Sequence, residues 1–145
     1  MDTTYASLLY ITGRVNQGIR RAMQARLAPW KLSVQQYTAL SVLQARPGLS
    51  NAQLARRALV TPQSMLEILS KLEERRLVQR AVDPDHALIL RAELTASGHR
   101  LLAEADPAIH AIGDELFGDI TPRERDIALR VMRAAMNRLS LRRPG

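Results

Sequence analysis

Leu8, Ile11, Val15, Ile19, Met23 and Leu27 recur every three or four residues, the period of one helical face. Pro29 stops the run, so the spacing predicts a first helix over residues 5–27. Ser33 is a good N-cap for a second helix carrying Tyr37, Leu40, Val42 and Leu43, which Pro47-Gly48 closes. Ser50 caps a short third helix through Leu54, Ala55 and Ala58, with Arg56 and Arg57 on its open side. Thr61-Pro62 sets a capping residue before a proline at the first helical position and starts a fourth helix over 62–75. Its apolar residues are Met65, Leu66, Ile68, Leu69 and Leu72. Leu77 to Val82 and Leu88 to Leu94 read as two short strands joined by the turn Asp83-Pro84-Asp85-His86.

Thr95 opens a further helix through Leu101, Leu102, Ile109, Ile112 and Leu116, which Asp106-Pro107 is placed to kink or split. Thr121-Pro122 repeats the cap-and-proline device and opens a last helix to Leu141. That helix is apolar on more than one face, with Ile127, Leu129, Val131, Met132, Met136 and Leu139, which points to a partner subunit. Two helices joined by a short turn, the second followed at once by a hairpin, make a winged helix-turn-helix whose second helix belongs in a DNA major groove. The expected fold is all-α with a small β-hairpin wing.

Charge sharpens this picture. Residues 3–66 hold Arg14, Arg20, Arg21, Arg26, Lys31, Arg46, Arg56 and Arg57 and no acid, within a formal net charge of +7. So polarised a field suits a polyanion. Arginine, which pairs in planar, bidentate fashion with phosphate and guanine, supplies all basic residues but Lys31 and Lys71. Aromatics are only 3% of the chain, too few for a base-stacking platform on single strands or RNA. With no cysteine there is no disulfide, thiolate metal site or thiol nucleophile. The longest apolar runs, Leu8 to Ile11 and Ala87 to Leu90, are four residues. Neither export nor membrane insertion is expected, and the cytoplasm is the default location.

Several stretches carry a family likeness. They are Leu32-Ser33-Val34-Gln35-Gln36-Tyr37, Gln53-Leu54-Ala55, Val60-Thr61-Pro62-Gln63-Ser64-Met65, Leu72-Glu73-Glu74-Arg75-Arg76-Leu77-Val78-Gln79-Arg80, Asp83-Pro84 and Leu94-Thr95-Ala96-Ser97-Gly98. In their order and spacing the chain resembles the MarR family of winged helix-turn-helix repressors over nearly its whole length. The resemblance implies one domain, with a winged lobe over 33–94 and dimerisation helices over 5–27 and 95–141. It also implies a homodimer, a pseudo-palindromic double-stranded DNA operator, and release of that operator by a small aromatic or phenolic effector. Three positions depart from the family pattern. Arg76 stands where a glycine usually ends the reading helix, His86-Ala87-Leu88-Ile89 replaces the wing-tip arginine, and Glu67 sits where the helix is often basic or polar.

For base reading the candidates are Thr61, Pro62, Gln63, Ser64 and Glu67. A glutamine amide pairs with adenine, a serine hydroxyl with either edge, and a carboxylate with cytosine N4. Glu67 is equally placed for an ordinary i,i+4 pair with Lys71. Candidates for phosphate or the wing are Arg56, Arg57, Lys71, Arg75, Arg80, His86 and Arg91. Tyr10, Arg14, Trp30 and Tyr37 are the candidate effector contacts, with Arg14 as anion anchor, although Trp30 and Tyr37 also read as plain core aromatics. Asp106, His110 and Asp114 share a helix face but read as a solvated stripe, and no metal or cofactor is expected. The chain shows no phosphate loop, histidine ligand pair or serine elbow, so catalysis is not expected. An architectural or protein-interaction module with little operator specificity is the alternative, which the altered wing makes credible.

Overall fold

Among the described residues, five helices begin at a hydroxyl that accepts a backbone N–H three residues on. Ser33 takes Gln36, Ser50 takes Gln53, Thr61 takes Ser64, Thr95 takes Gly98 and Thr121 takes Glu124. Each cap satisfies a donor that the first helical turn leaves open. At Ser33 and Ser50 the glutamine three residues later returns the bond to the cap's own N–H, completing a capping box.

A computed structural model describes residues 3–141. The chain divides into two units, Met1–Ile112 and Gly113–Gly145. The first begins with helix α1 (Thr3–Leu27), a 3₁₀ turn (Ala28–Trp30) and helix α2 (Val34–Ala45). Strand β1 (Leu49–Ser50), helix α3 (Asn51–Ala58) and helix α4 (Pro62–Glu74) follow. Strands β2 (Val78–Val82) and β3 (Leu90–Leu94) lead into helix α5 (Ala96–Phe117), which crosses the boundary between the units. Helix α6 (Pro122–Leu141) lies in the second unit. No helix among the described residues is long and apolar enough to cross a membrane.

The wing differs from a two-stranded hairpin. It is a three-stranded antiparallel sheet in the order β1-β3-β2, with Leu49 opposite Ala92 and Val78 opposite Leu94. Gly48, at a φ of 78°, turns the chain out of α2 and gives its N–H to the Ala92 carbonyl at 3.1 Å. A two-residue strand has no period of its own to read. The strands also start later than Leu77 and Leu88, because the Leu77 N–H closes α4 on the Leu72 carbonyl and residues 83–89 form the loop before β3.

The core of the first unit gathers Leu27, Leu40, Leu43, Leu54, Met65, Leu69, Leu72, Val78 and Leu102. From α1 only its C-terminal part takes part, through Met23 and Leu27, while Leu8, Ile11 and Val15 are exposed. Helix α5 passes through Pro107 without a break, since a missing amide donor costs one bond of the ladder and does not split a long, packed helix here. In the second unit, Ile127, Leu129, Val131, Met132 and Leu139 of α6 are all exposed.

Candidate nucleic-acid interface

Helix α4 presents two distinct faces. Met65, Leu69 and Leu72 are buried at i, i+4 and i+7, and the opposite side exposes Gln63, Leu66, Glu67 and Ser70. Leu66, expected as part of the apolar stripe, thus stands on the open face, where its methyl groups suit a thymine methyl. The three-residue link before α4 turns through Leu59 at a φ of 58°. There the Val60 N–H reaches the Ala55 carbonyl at 3.1 Å and the Leu59 N–H reaches that of Arg56 at 3.4 Å, a Schellman closure of α3. Asn51, a residue that sequence reasoning passed over, donates from its side-chain amide to the Pro62 carbonyl at 3.0 Å and so links the starts of the two helices.

The base-reading candidates come together on the first two turns of α4. Thr61, Pro62, Gln63 and Glu67 are exposed, and Ser64 is half-buried. The Thr61 hydroxyl donates to the Ser64 hydroxyl at 2.9 Å, so the pair presents a fixed donor-acceptor edge. Among the described residues Glu67 and Lys71 form no ion pair, which leaves both heads in solvent.

The cationic candidates divide into two groups. Arg56, Arg57 and Lys71 are exposed and have no ion-pair partner among the described residues. Three others brace the lobe instead of pointing free. Arg75 gives two N–H groups to the carbonyls of Lys31 and Trp30, both at 2.9 Å, fastening the end of α4 to the turn between α1 and α2. Arg80 pairs with Glu73 at 2.6 Å and ties β2 to α4. Arg91 pairs with Asp83 and donates to the Gly48 carbonyl at 3.0 Å, locking the wing to the start of β1. The Arg91 guanidinium, followed by the Asp85 N–H, holds the Asp83 carboxyl below the usual carboxylate range. His86 is exposed and takes part in the wing through its backbone N–H, which Asp83 accepts at 3.0 Å.

The structure does not bring the four effector candidates together. Tyr10 and Arg14 are exposed neighbours on α1, with the guanidinium 6.0 Å from the ring centroid. Trp30 and Tyr37 lie past the far end of that helix, and the thirteen helical steps from Arg14 to Leu27 span about 20 Å. Tyr37 is buried and donates to Asp106 at 2.7 Å. Burial first, and that carboxylate second, push its phenol up to about 12. Trp30 is half-buried, with its indole N–H 3.4 Å from Glu104. Asp106 thereby serves α2, and no metal-holding group of three ligands occurs among the described residues.

Comparison with known proteins gives the same picture. A profile described as MarR family matches residues 30–87. The HTH-type transcriptional repressor Rv2887 of Mycobacterium tuberculosis is 36% identical over 122 residues, covering 83% of this chain and 88% of that protein. The transcriptional regulator HosA of Escherichia coli O111:H- is 28% identical over 124 residues, covering 82% and 92%. Among solved structures, a MarR family regulator from Silicibacter pomeroyi superposes with a TM-score of 0.82 at 26% identity, covering 95% of this chain and 91% of that one. Rv2887 in complex with p-aminosalicylic acid superposes at 0.70 with 33% identity, covering 88% and 97%.

Proposed function

Since this chain belongs to the MarR family of transcriptional regulators, we propose that it is a sequence-specific double-stranded DNA-binding repressor that works in the cytoplasm as a homodimer, without catalysis. The observation that carries this reading is the exposed face of the first two turns of α4, seated by the Thr61 cap and by Asn51 on Pro62, with the exposed cations Arg56 and Arg57 at the end of α3. A helix held this way puts Gln63, Ser64, Leu66 and Glu67 against base edges while arginines hold phosphates. Arg75, Arg80 and Arg91 set the angle of that helix and its wing, and their reach to phosphate is secondary.

Effector release belongs to the same proposal. Rv2887 has been crystallised with p-aminosalicylic acid and with salicylic acid, and a planar aromatic acid is the ligand class to try first. The compound must prefer the conformation that cannot hold the operator. Trp30, the single tryptophan, supplies the fluorescence reporter.

The test is a footprint on DNA beside the protein's own coding sequence, followed by affinity for that site and for random DNA at one fixed salt concentration. A specific regulator shows a ratio on the order of 10³ or more, and a ratio near one overturns the proposal in favour of an architectural module. Gln63→Ala is expected to cost ~1–3 kcal/mol on the operator and little on random DNA. Arg57→Ala is expected to weaken both alike and to lower the salt slope by about 1.

A further inference from the structure

The tip of the wing is a knot. Asp83 is only 6% exposed, and its Oδ1 accepts the N–H groups of Asp85 at 2.7 Å and His86 at 3.0 Å. The Asp83 N–H reaches the Ile89 carbonyl at 2.8 Å, and the Ile89 N–H returns to the His86 carbonyl at 2.9 Å. Arg91 closes the base by binding Asp83 and the Gly48 carbonyl. What the knot holds outward is Leu88, 100% exposed, and behind it Val82 (56%) and Leu90 (46%), which face each other across β2 and β3.

A leucine held wholly in water at the end of a rigid arm forgoes its burial until something covers it. The flanking cations do not compete for the role, since Arg80 is paired with Glu73 and Arg91 with Asp83. Resting on the DNA-binding reading above, the occupant follows from continuity. Strand β2 starts four residues after α4 ends and is tied to it by Arg80, so the wing travels with α4 onto the duplex, and the groove beside the major groove that α4 occupies is a minor groove. Apolar side chains enter minor grooves as wedges between base steps, partly unstacking them. The support they need is rigidity at the base, which the Asp83 knot provides.

We propose that Leu88 is an apolar wedge that enters the minor groove flanking the site read by α4, with Val82 and Leu90 against the sugars, so that the wing selects for easily unstacked steps. Pyrimidine-purine steps such as TA and CA open most readily, whereas stiff A-tracts resist and offer a negative groove that a leucine cannot use. The wing then reads deformability in place of groove charge.

The experiment uses the full chain and duplexes that keep the footprinted core but vary the step beneath the wing between TA, CA, AA and GG, with 2-aminopurine at that step. Wild-type protein is expected to favour TA over AA by roughly tenfold and to brighten the 2-aminopurine on binding. Leu88→Ala is expected to abolish both effects with unchanged thermal melting, while adding Gln63→Ala to it still weakens operator binding by the same factor as in the wild type. Leu88→Met keeps them, and Leu88→Arg shifts preference to A-tract flanks. A wild-type protein that shows no flank preference and no brightening, while its operator-to-random ratio stays high, overturns the wedge and leaves the repressor reading standing. A ratio near one overturns that reading itself. Should Leu88→Ala change the sedimentation of the free protein, the tip is an interface between copies, and the wedge is again overturned.

Discussion

Three helix ends in the first unit close through a left-handed residue that is not glycine: Lys31 at a φ of 53°, Leu59 at 58° and Arg76 at 58°. At Arg76 the N–H of Leu77 reaches back to the Leu72 carbonyl and that of Arg76 to Glu73, both at 2.9 Å, so the turn is fully bonded and its strain lies in the Cβ alone. Relief of that strain by glycine exceeds the added chain entropy, which makes Arg76→Gly stabilising by about 0.5–1 kcal/mol, read as a rise in Tm of roughly 2–5 °C. Gly98 is the opposite case. A Cβ there would sit 2.1 Å from the Leu77 carbonyl oxygen, which is backbone and cannot swing aside, so Gly98→Ala is expected to cost roughly 3 kcal/mol in a denaturant melt. The sequence marks Arg76 only through the family's glycine at that position. Nothing in the residue types of Lys31 and Leu59 announces a left-handed backbone, because the requirement comes from the helices on either side.

At the scale of elements, legibility follows the distance between partners along the chain. Ser33 with Gln36, Ser50 with Gln53, and Thr61 before Pro62 are complete within four residues, and each starts a helix where the sequence places it. The bracing of α4 and the wing joins residues far apart: Arg75 is 44 positions from Lys31, and Arg91 is 43 from Gly48. Such pairs cannot be read locally, and for that reason three braces look like free phosphate hands in the sequence. The wing carries a pH signature that follows from its brace. Because Arg91 lowers the folded-state pKa of Asp83, the contribution of that carboxylate is complete above the ordinary carboxylate range. It disappears as pH falls through the lowered value. Hydrogen exchange at the Asp85 and His86 amides, both held by Asp83, is expected to stay protected at pH 5 and to quicken only in stronger acid. In Asp83→Asn these amides are expected to exchange faster at neutral pH too, with the protection of core α4 amides unchanged. Equal protection in the variant and the wild type would show that the turn holds without the carboxylate.

The whole molecule leaves much apolar surface in water. On α1, Leu8, Leu9, Ile11 and Val15 are exposed, and on α6 so are Ile127, Leu129, Val131, Met132 and Leu139. A monomer rarely tolerates such stripes, and each is of the kind that a second copy of the chain would cover. In a pair of chains the eight basic residues between Asp2 and Glu67 would appear twice, and two copies of α4 are expected to meet successive major grooves about 34–36 Å apart, or a multiple of that, on a pseudo-palindromic operator. The 16.2 kDa chain is therefore expected to sediment as a dimer at micromolar concentration. Val131→Asp with Met132→Asp places two carboxylates in the stripe of α6, where pairing would desolvate them without partners, and is expected to yield a folded monomer with unchanged helical content. Losing the second half-site should cost that monomer far more on the full operator than on a single half-site, where the two proteins are expected to bind within a few-fold of each other. A wild-type chain that sediments as a monomer while holding a two-fold operator tightly would remove α1 and α6 as the dimer interface and leave their apolar faces to some other partner.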